Sequence, residues 1–104
     1  MRSMDAGLVC ECDVVFIHAD GTRSPGRIWV NRPRRSGAGS AECSVGIDGL
    51  HPALPPVAGA DTLQALVLAL RLIGALLHDF VGRGGKIRLP NCEAELELGA
   101  YFGP

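Results

Sequence analysis

One stretch of this chain limits the folds open to it more than any other: "DTLQALVLALRLIGALLHDFVG", residues 61–82. It carries the start and stop signals of a single long helix. Asp61 is placed to cap the N-terminus, and Gln64 follows three residues later, as in a capping box. Gly82 suits the left-handed conformation in which many helices end. At 100° per residue, Leu63, Leu66, Val67, Leu70, Ile73, Gly74, Leu77 and Val81 form one stripe. Leu72, Leu76 and Phe80 widen it, and Leu68 lies further round. Gln64, Arg71, His78 and Asp79 alone mark a polar side. Burying each large apolar side chain contributes roughly 1.5–3 kcal/mol before conformational entropy is subtracted. The chain must therefore cover nearly the whole helix with something.

The bilayer is a poor candidate for that cover. The run Leu63–Leu77 is 15 residues long, is interrupted by Gln64 and Arg71, and falls short of the roughly 20 residues a spanning helix needs. The N-terminal segment "MRSMDAGLVCECD" has acids early and no apolar run of signal-peptide length, so the expected location is the cytoplasm. At 104 residues the chain is expected to be one domain, 1–104, with flexible tails over 1–7 and 99–104.

The cover has to come from strands. Two β-rich runs near 8–18 and 22–32 flank Asp20-Gly21, a favoured type I′ hairpin turn. A two-residue turn would pair Val14 with Arg27 and would mix apolar and acidic residues on one face. One extra residue at Pro25-Gly26, where strands tolerate a bulge, restores the pattern. Leu8, Cys10, Cys12, Val14, Phe16, Ile28 and Val30 then share an inner face. Glu11, Asp13, Val15, Ile17, Arg27, Trp29 and Asn31 share the outer one. "PRRSGAGS" (33–40) reads as a loop. "SAECSVGID" alternates as a third strand, with Ala41, Cys43, Val45 and Ile47 inward. "GLHPALPPVAG" (49–59) reads as an irregular crossover. After the helix, Ile87, Leu89, Ala94, Leu96 and Leu98 alternate with charged residues, as one interrupted strand or a short hairpin bent at Pro90-Asn91. The expected fold is α+β: a mostly antiparallel sheet of four or five strands with one long helix on one face, in the order β-β-β-α-β-β. A single sheet face covers one helix stripe but not Leu68, Leu72 and Leu76 as well. Either the proline-rich crossover or a second chain covers those three.

The pairing of "CSVGIDGL" with "VAGADTLQALVLALRLIGALL" resembles a family of small bacterial proteins of unknown function. In that family a Cys-containing strand is followed, after a variable loop, by a G-x-D-[ST]-L-Q-A-L-x-L-A-L helix and a short C-terminal β segment. The matching positions are Cys43, Ile47, Gly49, Gly59, Asp61, Thr62, Leu63, Gln64, Ala65, Leu66, Leu68, Ala69 and Leu70, and the proline-rich 52–56 segment departs from it. The motif is mostly cap and helix stripe, so the resemblance implies a fold and no activity.

Chemistry is sparse. Cys10-x-Cys12 with Cys43 and Cys92 offers the four thiols of a structural zinc site, but without the paired C-x₂₋₄-C spacing. As small inward hydrophobes the cysteines fit the strand periodicity, and no cofactor is expected. His18, His51 and His78 have no metal-ligand spacing. Cys43, Asp48 and His51 are close in sequence, but Cys43 points inward while His51 lies in the crossover. "GRGGK" lacks the spacing of a phosphate-binding loop, and Glu93, Glu95 and Glu97 read as a solvated strand face. Net charge is −1, so no global field draws in nucleic acid. Arg23, Arg27, Arg32, Arg34 and Arg35 around Trp29 do form a basic segment with one stacking aromatic, which keeps nucleic-acid binding as the alternative. The reading reached from sequence is a non-enzymatic protein–protein interaction module, a homodimer or a binder of another protein. Its candidate contact residues are Leu68, Leu72 and Leu76 on the helix, then Arg27 with Trp29 on the outer sheet face.

Overall fold

The computed structural model describes residues 7–103. The expected N-terminal tail lies, but for Gly7, outside them. The chain runs β1 (Leu8–Ile17), β2 (Arg23–Asn31), β3 (Arg34–Gly37), β4 (Ser40–Cys43), β5 (Val45–Asp48), β6 (Val57–Gly59), α1 (Thr62–Gly82), β7 (Lys86–Arg88) and α2 (Leu98–Phe102). The class is α+β. Strands β5-β2-β1-β7 form one antiparallel sheet and β3-β4-β6 a second, with α1 packed across strands of both.

The inner and outer faces of the β1–β2 hairpin are those expected from β1 position 10 onward, but the register is set elsewhere. His18 donates its N–H to Thr22 O (2.8 Å) and accepts from the Gly21 N–H (2.8 Å), closing a three-residue loop. Gly21 takes the positive φ of 90° that such a loop ends on. Asp20 Oδ1 accepts the Thr22 N–H at 2.9 Å, and the Thr22 hydroxyl first, with this N–H second, holds its carboxyl below the usual pKa. The third loop residue shifts the pairing by one, so Cys12 faces Ile28 and Val14 faces Gly26 without a bulge at Pro25. The irregularity lies at the other end, between Leu8 and Cys10.

The third expected strand is two. Its alternation is correct, because Ala41, Cys43, Val45 and Ile47 are all buried. At Ser44, whose carbonyl accepts the Asn31 N–H at 2.9 Å, the chain leaves one sheet for the other. Residues expected as loop form β3, which pairs with β4, and the end of the crossover forms β6 on the other side of β4. Backbone pairing, which side-chain periodicity does not register, makes these short strands.

The helix begins as its cap residues dictate. Asp61 Oδ1 accepts the Gln64 N–H at 2.7 Å, and Gln64 Oε1 reaches back to the Ala60 N–H at 2.6 Å. The helix runs to Gly82, but the left-handed residue that closes it is Gly84, two positions later. The Gly84 N–H bonds Val81 O and the Gly85 N–H bonds Phe80 O, both at 3.0 Å, with Gly84 at φ 99°. That is a Schellman closure. By length and composition α1 could cross a membrane, with a mean hydropathy of 1.8. Its inward side, however, completes one core with Val14, Phe16, Val30, Ile47 and Ile87.

The C-terminal segment departs from the expected second strand and tail. Past β7 a single bridge joins Arg88 to Glu95, and Leu98–Phe102 then coils into α2. Phe102 lies on α1 at Gly74, where an added Cβ would stand 3.2 Å from the ring.

Candidate interaction surface

The outer sheet face is knit together. Arg27 Nε donates to Asp13 Oδ1 at 2.7 Å and its Nη1 lies 3.3 Å from Glu11 Oε1. The Asp13 hydrogen bond and charge raise the guanidinium pKa further. Trp29 lies across Gly46, where a Cβ would stand 2.3 Å from the indole, and its Nε1–H donates to Asp48 Oδ1 at 3.0 Å. Gly46 thus serves as the seat of the tryptophan, a role that alternation alone left as an outward-facing position. Arg27 and Trp29 are brought together as expected, but as members of an ordered network with three carboxylates. Of the other hairpin arginines, Arg34 pairs with Glu42 at 3.1 Å.

On α1 the structure redistributes the apolar residues. Ala65, Ala69, Ile73, Gly74 and Leu77 are buried. Leu66, Leu76 and Phe80 are half-buried against the core, and Leu68 and Leu72 are half-buried as well. The three leucines proposed as a contact surface therefore give little of themselves to solvent. The exposed apolar residues lie on the opposite flank: Leu63 at 70%, Val67 at 38%, Leu70 at 37% and Val81 at 42%. Tyr101 of α2, 57% exposed, stands beside them. Val67, Leu70 and Gly74 share a cavity of about 430 Å³ with Tyr101 and Phe102, bordered by Arg71 and His78. The sequence signal for this flank was present in the Leu63-Val67-Leu70 spacing, but it read there as core.

Burial, aided by the charge of Cys10, raises the Cys43 thiol pKa, and burial with Asp13 raises that of Cys12. Both are thereby less nucleophilic near neutrality. Cys43 Sγ donates to Asn31 O at 3.4 Å, and Cys92 Sγ accepts the Ala94 N–H at 3.4 Å. Among the described residues no set of three or more His, Cys, Asp or Glu is placed to hold a metal ion, so the zinc alternative has no donor set there. Sequence reasoning missed one contact of catalytic type, His18 Nε2 with Ser24 Oγ at 3.2 Å. The His18 ring also stands edge-on to Phe80, with centroids 5.4 Å apart. The pair lines neither cavity at α2, and its geometry is that of a cross-strand tie beside the turn. Comparison with protein families, with curated proteins and with solved structures finds no match to this chain.

Proposed function

We propose that this protein acts by binding and not by catalysis, and that it self-associates. The observation that carries the reading is the exposed flank of α1, where Leu63, Val67, Leu70 and Val81 lie on one side of the helix next to Tyr101. Apolar residues gathered on one side of an element mark contact sites more often than the same residues scattered singly. The flank replaces Leu68, Leu72 and Leu76 as the first contact surface, and the Arg27–Trp29 face stays as the second. Nucleic-acid binding receives less support, because Arg27 and Arg34 already face carboxylates and Trp29 is hydrogen-bonded across its own sheet.

Native mass spectrometry of the reduced protein at micromolar concentration tests the reading. The expected result is a dimer that Leu63→Glu and Val67→Glu convert to a folded monomer. A wild-type chain that stays monomeric, or a dimer indifferent to both substitutions, refutes self-association through this flank.

A further inference from the structure

Beneath the hairpin, between its inner face and α1, lies a second cavity of about 330 Å³. Its floor is Cys10, Cys12, Ile28 and Val30. Leu70 and Ile73 of α1 face them, and Leu96, Tyr101 and Phe102 form the side wall. Val30 and Ile73 belong to the core and are 2% and 1% exposed, so the space reaches the packed interior. It shares Leu70, Tyr101 and Phe102 with the cavity on the other side of α2, which makes that short helix a partition between them.

The geometry points to a binding site for a small, neutral, apolar molecule. The volume falls within the range of small-molecule sites, which are mostly apolar with a few polar groups. Water is a poor occupant, because a buried water needs two to four polar partners and these walls offer chiefly hydrocarbon, two thiols and a phenol. Among the described residues no Lys or Arg lines the space, so an anionic head group has no partner among them. The one carboxylate at its border among the described residues, Glu11, is already paired with Arg27 at 3.3 Å, which gives a cation no advantage. The floor residues Cys10, Cys12, Ile28 and Val30 belong to the hairpin and not to the α1 flank proposed for a second copy.

The test uses the reduced full chain and the neutral fluorophore N-phenyl-1-naphthylamine, with the anionic anilinonaphthalene sulfonate alongside. The expected result is saturable binding of the neutral probe, with the anion weaker by about ten-fold or more. Cys12→Phe, which fills the floor, is expected to weaken the neutral probe by a similar factor. Should that variant fail to fold, alkylation of the wild-type protein gives an independent answer. Saturating probe is expected to slow iodoacetamide several-fold at Cys10 and Cys12 and to leave the exposed Cys92 unchanged. Unsaturable binding, equal affinity for the anion, or equal slowing at Cys92 would overturn the assignment. So would a probe affinity that falls with dimer dissociation in Leu63→Glu, since the probe would then sit at the subunit contact. Binding in a chain that stays monomeric would leave this site standing while removing self-association.

Discussion

The two sides of α1 invert the usual order of size and burial. Facing the sheets, Ala65 and Ala69 are fully buried, whereas Leu63 and Val67 on the far flank are 70% and 38% exposed. Distance explains the inversion. Strand β6 lies so close to the first turn that an added Cβ on Gly59 would stand 2.5 Å from the Ala65 amide nitrogen. Only a small side chain fits where backbone approaches backbone, and the larger residues of that half of the helix are displaced sideways. Toward the C-terminal half, Ile73 and Leu77 take the inward positions at 1% and 0% exposure. Hydropathy thus tells where a helix is apolar, while the spacing between layers decides which apolar residues form the core.

The sharpest way to break this contrast is a pair of truncations. Ile73→Ala removes a side chain that the core surrounds and is expected to destabilise by about 2–5 kcal/mol. Leu63→Ala is expected to change monomer stability by no more than about 0.5 kcal/mol, as at most surface sites. Urea unfolding of the reduced chain, under conditions where it is monomeric, measures both. Similar losses at the two positions would mean that Leu63 is covered in solution by the chain itself.

A smaller effect probes the close approach from the opposite direction. Ala69→Leu inserts volume where the layers nearly touch and is expected to destabilise by about 1–3 kcal/mol, although leucine is the more hydrophobic residue. Val67→Leu, the matching enlargement on the flank, is expected to be near neutral. If Ala69→Leu stabilises the fold, the layers stand further apart than the buried alanines indicate.

The same contrast separates what was legible in the sequence from what was not. The helix and its cap were legible because Asp61 and Gln64 act on neighbours three and four residues away. The inward set Ala41, Cys43, Val45 and Ile47 was legible because alternation continues through Ser44 even as the chain changes sheets. The change of sheet was not, since it depends on a bond between Asn31 and Ser44 that no local pattern announces. Strands β3 and β6 are held by pairing with β4, and their own residues carry little β signal. α2 escaped for a related reason. The alternation of Leu96 and Leu98 with glutamates suits a strand, whereas the contact of Phe102 with Gly74 lies outside any local pattern. Arg27 and Trp29 were found by type and neighbourhood, their carboxylate partners only by the fold. The flank at Leu63, Val67 and Leu70 was visible as residues and invisible as surface.

The smallest predicted effect concerns charge in place of volume, and it extends the contrast to the cysteines. Burial raises the pKa of Cys43, and of Cys12 to its side of the core, above the ordinary thiol value of 9.0. Below that value the thiol is protonated in both folded and unfolded chains, and its contribution to stability is fully present. As pH rises past 9.0 the unfolded chain ionises first, so stability falls until the folded thiols ionise in turn. Urea midpoints measured from about pH 8 to about pH 10 are therefore expected to decline, with a shallower decline in Cys43→Ala than in the wild type. A Cys43→Ala slope equal to the wild type would mean that this sulfur meets water in the folded chain. The sheet-facing side would then lose the dryness that distinguishes it from the flank.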